Sequence, residues 1–248
     1  MPNSRQEQLI RCLGEKSPLS VEELSVLLSV SEATVRRDLV ELEDKGLIVR
    51  QRGGASLPGL GVEPLFNQRQ KLNRDWKRKI AQHAAEQIAE GEVIALDVGT
   101  TTAELAKELL KKANLTIFTY SLQVASILSR SRHKVYIVGG HFRMSEMSMV
   151  GSIALSTIKQ FNFDRFYLGL AGLSKFQGPT DFSLEEVEIK RALIERSKQV
   201  IALADPSKFG VSSLVKVCEF NEIDEIVTEE SGRKAAEELE FAGKITIV

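Results

Sequence analysis

The sequence predicts an α/β chain in two parts: a small helical domain at the front, then a larger domain on a mostly parallel sheet. Three observations carry this. Residues 4–50 hold three helical patterns in close succession, and from Val93 onward short β-branched runs alternate with helical stretches, the sequence form of a parallel sheet covered on both faces. Between them, residues 55–64 carry two prolines and two glycines, which oppose regular structure. At roughly 150 residues per domain, 248 residues suit one medium domain with a small companion. The expected division is a front domain over 1–57, a linker over 58–75 and the larger domain over 76–248.

Composition narrows the function classes. With 43% apolar and 27% charged residues and six prolines, the chain buries a sizeable core and is not a disordered protein. The longest nearly charge-free apolar stretch, Phe166 to Leu173, is far short of the roughly 20 residues of a membrane span, and the polar start has no secretory core, so a cytoplasmic protein without a membrane partner is expected. Cys12 and Cys218 lie in apolar segments with no C-x-x-C and no histidine at ligand spacing, which predicts buried, reduced thiols and no metal site. No cofactor is expected either. Net charge is −1, and the first 58 residues hold eight Lys/Arg against nine Asp/Glu, so a nucleic-acid argument must rest on placement.

In the front domain, Ser20 and Glu23 form a capping box that starts the second helix, with Leu24, Leu27 and Leu28 as its expected buried stripe. The turn Ser29-Val30-Ser31 follows, with Ser31 placed to cap a third helix, which makes a helix-turn-helix pattern. In that helix Val35, Leu39 and Leu42 form one inward face; Ala33, Thr34 and Arg37 then point outward and Arg36 lies on the shoulder. Such a set suits a major groove, where Arg bonds a guanine edge or a phosphate, Thr does either, and Ala permits close approach. The acids Glu41, Glu43 and Asp44 are segregated to the far end. After Gly46, the segment 47–54 reads as a short hairpin or wing whose Arg50 and Arg52 would hold the DNA backbone. The alternative, a three-helix protein-binding module with solvated arginines, predicts binding indifferent to salt and to DNA sequence.

The run from Val30 to Ala55, with VSEATVRRDL, a leucine-then-glycine spacing, Arg50 and Gly53-Gly54-Ala55, resembles the winged helix-turn-helix of the DeoR family of bacterial transcription regulators. The resemblance implies double-stranded operator DNA as partner. One such domain reads only a few base pairs, so a homo-oligomer, dimer or tetramer, on paired half-sites is expected.

In the larger domain strands are expected at about 93–98, 115–119, 134–138, 165–170, 200–204, 224–228 and 244–248, with helices around 102–112, 122–130, 151–160, 185–197 and 232–240. The stretch Arg69 to Lys79 carries six cations against one acid and reads as a charged, solvated connector running into a helix with Ile80, Ala84 and Ile88. In parallel sheets ligands sit beyond the carboxyl ends of the strands. There Gly99-Thr100-Thr101-Thr102 offers a turn, three hydroxyls and the amides of a helix start, a sensible phosphate cradle, though an ordinary helix cap is an equal reading of this loop taken alone. It is neither a Walker loop nor a dinucleotide fingerprint. Thr119-Tyr120-Ser121, Gly139 to Arg143, Gly169 to Gly172 and Asp205 to Gly210 fall at other strand ends, and Glu185, Glu186, Glu188 and Lys190 open a helix. Acids for sugar hydroxyls and cations for a phosphate thus gather at one rim, which points to a phosphorylated small molecule.

These blocks also resemble the DeoR-type effector domain, whose fold is similar to ribose-5-phosphate isomerase: Lys79, LDVGTTT at 96–102, GGHFR at 139–143, E-x-x-x-K at Glu186 to Lys190, and DPSKFG at 205–210. The resemblance implies a regulator, often a repressor of sugar-catabolic genes, that senses a phosphorylated sugar. Carried over, Gly99, Thr100, Thr101, Thr102 and Lys208 would hold the phosphate; Asp97, Glu186, Lys190 and Asp205 would line the rest of the pocket, with Ser121, Gly140 and Arg143 beside them. Two departures from the family pattern stand out: Tyr120 where an amide is usual, and Gly178-Pro179-Thr180-Asp181, whose Asp181 adds negative charge near an expected anion. The competing reading is a sugar-phosphate isomerase, for which Asp97, Asp181, Glu185 or Glu186 could serve as base. His83 and His133 read as surface or packing residues.

Overall fold

The structure is a computed structural model and describes residues 4–44, 47–51, 53–56 and 63–248. The chain divides into two compact units, Met1–Leu72 and Asn73–Val248, a division that falls inside the segment expected as linker. Arg52 and the linker residues 58–62 lie outside the described residues.

The front unit runs α1 (Ser4–Glu15), β1 (Leu19–Ser20), α2 (Val21–Leu28), α3 (Glu32–Asp44), β2 (Val49–Gln51), β3 (Gly54–Ser56) and α4 (Phe66–Lys71). The capping box is formed: Ser20 Oγ accepts from Glu23 N at 3.0 Å while the Glu23 carboxylate accepts from Ser20 N at 2.8 Å. Leu9 and Leu13 of α1, Leu24 of α2, and Val35, Leu39 and Leu42 of α3 close a core with Ile48 and Ala55 of the hairpin. The antiparallel strands order β1-β3-β2. Here only glycine fits at position 54, because a Cβ would lie 2.2 Å from the carbonyl oxygen of Leu19 on the neighbouring strand. One expectation fails. Leu27 is 58% exposed and joins Val26 on the outer side of α2, since Val21 and Leu24 already fill the space against α1 and α3.

The larger unit runs α5 (Arg74–Glu86), β4 (Val93–Leu96), α6 (Thr100–Leu109), β5 (Ala113–Thr119), α7 (Leu122–Leu128), β6 (Arg132–Ile137), β7 (His141–Arg143), β8 (Ser148–Val150), α8 (Ser152–Ile158), β9 (Phe163–Leu168), β10 (Gly172–Ser174), β11 (Gly178–Asp181), α9 (Leu184–Glu195), β12 (Ser197–Leu203), β13 (Val215–Lys216), β14 (Glu225–Thr228), α10 (Arg233–Glu237) and β15 (Lys244–Ile247). Seven of the strands form one parallel sheet in the order β15-β14-β12-β9-β4-β5-β6. Strand alternation sends Ile94 and Leu96 to the face covered by α5, α6 and α7, and Ala95 to the face covered by α8, α9 and α10. Both faces are apolar, so a central strand such as β4 (VIAL) reads as a continuous hydrophobic run.

The strand order fixes where a ligand would sit. From β4 the chain winds outward through β5 and β6; it then returns to β9 on β4's other side and winds the opposite way through β12, β14 and β15. The reversal lies between β4 and β9, and sheets of this kind take ligands in the crevice outside the carboxyl ends of the strands at that point. Two features went unread in the sequence, an antiparallel hairpin β7–β8 and a small sheet β10-β11-β13, and both border this end of the molecule.

Candidate functional site

On the front unit the outward face of α3 forms as expected. Val35, Leu39 and Leu42 are buried, whereas Ala33, Arg36 and Arg37 are exposed and Thr34 is half-buried. Ser31 accepts from Thr34 N at 3.3 Å and its hydroxyl lies 2.9 Å from that of Thr34, so the pair starts the helix. Arg36 pairs with Glu32 one turn earlier at 2.9 Å, and Arg50 on β2 pairs with Glu43 at 3.3 Å. These exposed pairs are worth about 0–1 kcal/mol each, so a phosphate displaces them at little cost. Arg52 lies outside the described residues. No sequence motif signals what orients α3. Asp38, in the middle of the RRDL run, is buried and held by two donors on one edge of the Arg5 guanidinium, Nε to Oδ2 and Nη2 to Oδ1, the latter at 2.9 Å. Hydrogen bonding from Arg5 is the main reason the Asp38 carboxyl sits below its ordinary range. Gln6 of α1 also donates to Glu41 at 2.6 Å. Two links from α1 therefore clamp the inner side of the helix whose outer side carries the arginines.

In the larger unit the crevice between β4 and β9 gathers most of the expected effector residues. Asp97, at the end of β4, is fully buried and saturated. Its Oδ1 accepts from Val98 N at 2.9 Å and from the Tyr120 hydroxyl; its Oδ2 accepts from Gly169 N at 2.7 Å and from Lys190 Nζ. Lys190, reaching in from α9, also donates to Gly169 O at 3.0 Å and pairs with Asp181 Oδ2 at 3.0 Å. Burial is the larger effect on Asp97 and lifts its carboxyl above the usual range despite the lysine. Burial also opposes the charge on Lys190, but Asp181, Asp97 and Glu186 around it outweigh that and raise its pKa, so the lysine stays cationic. Burial, reinforced by the Asp97 charge, likewise pushes Tyr120 far above the ordinary phenol value, so it remains a donor. The two departures from the family pattern thus converge, Tyr120 on Asp97 and Asp181 on Lys190.

Beside this knot, Glu186 is buried on α9 and accepts from Arg143 Nη1 at 3.0 Å and from the Ser148 hydroxyl, which ties α9 to the β7–β8 hairpin. Gly140 serves the same hairpin, since a Cβ there would meet Val150 O at 2.5 Å. Ser121 caps α7 by accepting from Val124 N at 3.3 Å. Gly99 is the N-cap of α6; Thr102 is buried and spends its hydroxyl on Gly99 O at 2.9 Å, while Thr100 and Thr101 retain slight exposure.

On the other side of the crevice, Asp205 follows β12. Its Oδ1 accepts from Ser207 N at 3.0 Å, from Ser207 Oγ at 2.6 Å and from Asn73 Nδ2 at 3.1 Å. Burial disfavours its charge, but Lys208 and Lys77 more than offset this and draw its carboxyl down. Lys77 is only 3% exposed, which corrects the reading of the connector as a wholly solvated face: Asp205 draws one of its cations inward. Lys79 pairs with Glu229 at 2.7 Å. No sequence pattern announces Asn73 and Asp205, which stand 132 positions apart.

The remaining singles are structural. His133 stands 2.8 Å from Leu109 O and accepts from Leu115 N at 3.3 Å, as a packing residue does. The Cys218 thiol is buried and pushed up to about 12, mainly by burial, whereas Cys12 is only half-buried. Among the described residues no group of three or more His, Cys, Asp or Glu is arranged to hold a metal ion, and no helix is long and apolar enough to cross a membrane.

Comparison with known proteins gives concordant matches in both units. A family described as the DeoR-like helix-turn-helix domain matches residues 5–59, and one described as the DeoR C-terminal sensor domain matches residues 72–230. The chain is 36% identical to the HTH-type transcriptional regulator GlpR of Haloferax volcanii, across 100% of this chain and 98% of that protein. It is 35% identical to the glycerol-3-phosphate regulon repressor of Escherichia coli, across 91% of this chain and 90% of that one. Among solved structures, ribose-5-phosphate isomerase A of Methanocaldococcus jannaschii is similar with a TM-score of 0.41 and 15% identity, over 55% of this chain and 54% of that chain, a likeness too distant to bear on activity. With both of its domains matched and full-length relatives above 30% identity, this chain belongs to the DeoR family.

Proposed function

We propose that this chain is a DNA-binding transcriptional regulator, a cytoplasmic repressor of carbohydrate-catabolic genes, whose hold on operator DNA is set by a phosphorylated sugar or a related metabolite. The observation that carries the reading is the division of α3. Its inner side is locked by Leu39, Leu42 and the Arg5–Asp38 pair, and its outer side presents exposed Ala33, Arg36 and Arg37 with half-buried Thr34 among them. A rigid helix with small, hydroxyl and guanidinium groups near its start is what major-groove reading requires. Arg50, on the hairpin strand β2, and Arg52 are assigned to the DNA backbone.

The effector is assigned to the crevice between β4 and β9. The start of α6 with Thr100 and Thr101, together with Lys208, is its phosphate end; Asp181 and the Arg143–Glu186 pair border its other end. The relatives are named as a transcriptional regulator and as a repressor of a glycerol-3-phosphate regulon, which agrees with a phosphorylated ligand. The chain acts as a homo-oligomer, because a single reading head covers too few base pairs for useful discrimination. Of the carboxylates that could serve an isomerase as base, Asp97 is disfavoured. A base must be able to take a proton from its substrate, and every acceptor direction of this carboxylate is already filled by Val98, Tyr120, Gly169 and Lys190.

The test is a gel shift of the purified chain on the DNA upstream of its own gene, with and without glycerol 3-phosphate and hexose phosphates. Binding that survives competitor DNA and changes with one of these esters is expected. A chain that ignores this DNA, or that isomerises sugar phosphates with turnover lost in Asp97→Asn, overturns the proposal.

A further inference from the structure

The charges around the crevice are unevenly divided. On one side Asp97, Asp181 and Glu186 surround Lys190 and Arg143. Both cations are engaged: Lys190 with Asp97, Asp181 and Gly169 O, and Arg143 with Glu186. Among these five groups the carboxylates outnumber the cations by one. The carboxylate least covered there is Asp181, whose side chain is 10% exposed against 0% for Asp97 and 1% for Glu186. Its position is fixed: Oδ1 accepts from Phe182 N at 2.8 Å and Oδ2 pairs with Lys190, so it cannot swing away from an incoming charge. On the other side, Lys77 and Lys208 both act on the carboxylate of Asp205.

We propose that Asp181 is a specificity-determining residue, which makes this crevice selective for phosphomonoesters whose far end carries hydroxyls and no second anion. The proposal rests on the sensor reading above and deepens it. A hydroxyl meeting Asp181 donates into a carboxylate lone pair that Phe182 and Lys190 leave open. A carboxylate or second phosphate there meets a fixed like charge, and the two cations described beside it, Lys190 and Arg143, are already engaged. Lys190 would have to abandon Asp97 or Asp181 to receive such an anion, and either loss strands a buried charge. Lys190 accordingly acts through Asp97 and Asp181, as a positioning residue, and does not touch the ligand.

Matched ligand pairs test this on the full chain by calorimetry or thermal shift: glycerol 3-phosphate against 3-phosphoglycerate, and glucose 6-phosphate against 6-phosphogluconate, with inorganic phosphate alongside. Each pair differs in the oxidation state of its far end, and the second also in ring closure, since glucose 6-phosphate is cyclic and 6-phosphogluconate is open-chain. In at least one pair the hydroxyl-ended member is expected to bind at least tenfold more tightly, about 1.4 kcal/mol. Asp181→Asn should narrow that ratio at least threefold, and Asp181→Glu, which keeps the charge, should retain the preference. Equal or tighter binding of the acid-ended members by the unsubstituted chain overturns the proposal and leaves phosphate sensing intact, as does an unchanged ratio in a folded Asp181→Asn. Where that variant does not fold, the unsubstituted chain and Asp181→Glu decide. If none of the esters nor inorganic phosphate binds, the sensor reading fails and the proposal with it.

Discussion

Replacing Lys190 with methionine separates a structural lysine from one held ready for a ligand. The ammonium is 1% exposed and joins Asp97, Asp181 and Gly169 O, so its removal leaves two carboxylates facing each other and one carbonyl without its donor. Removing one partner of a buried pair costs about 3–5 kcal/mol. Asp97 has an escape, because burial already lifts its carboxyl and the variant would let it take a proton; the cost should then fall near the lower bound. For a domain of this size about 3 kcal/mol lowers the melting temperature by roughly 6–12 °C. The sign of the pH dependence follows. A carboxyl whose folded pKa is raised gives stability that is present below its unfolded value and lost as pH rises through the folded one, so the deficit of the variant should shrink on acidification. The combined variant Lys190→Met with Asp97→Asn should recover part of the loss, since no uncompensated charge remains at position 97. Urea or thermal unfolding of the larger unit, followed by circular dichroism, reads all three. A Lys190→Met protein as stable as the parent, or more so, would falsify the closed-knot account and return Lys190 to direct ligand contact.

Arg37→Ala should weaken operator binding about 5- to 150-fold (about 1–3 kcal/mol) and relax sequence preference, read by competition gel shift; undiminished selectivity would remove Arg37 from the reading face. Lys208→Ala should bind operator as the parent does yet lose its response to phosphomonoesters, whereas a response at unchanged ligand concentration contradicts the phosphate anchor. Asp38 gives an acid-side signature: its carboxyl is depressed chiefly by hydrogen bonds from Arg5, so the stability it contributes is present above the ordinary aspartate pKa of 3.8 and drains away as pH falls through the lowered value. The slope of front-unit stability against pH in that window should flatten in Asp38→Asn; identical slopes would mean that the pair does not hold α3.

Much of the fold was legible because its signals are local. VIAL at 93–96 and VIAL at 200–203 are β-branched, apolar on both faces and bounded by turns, so the parallel sheet could be read strand by strand. Ser20 and Glu23 announce their helix because a capping box is complete within four residues. The short strands Gly172–Ser174 and Gly178–Asp181 were not legible, because three or four small and polar residues have no alternation and their pairing is decided by register with each other and with Val215–Lys216. At the site, residue types and strand ends were readable, but their engagement was not. Asp97 and Lys190 look like ligand groups in the sequence, and only the 93-residue span between them, closed in the fold, shows each satisfied by the other. Tyr120 and Asp181 stood out as departures, and their meaning depended on the same long-range closure.

The most direct test of the central claim is a titration of the full chain against the DNA upstream of its own gene at a series of salt concentrations, each with and without an ester that raises its melting temperature. If Arg36, Arg37, Arg50 and Arg52 of two subunits each neutralise one phosphate, about eight contacts give a slope of log affinity against log salt near −7. The account predicts that slope, with a change in affinity on adding the ester. A slope near zero, or an affinity for this DNA no different from that for random sequence in both states, contradicts it.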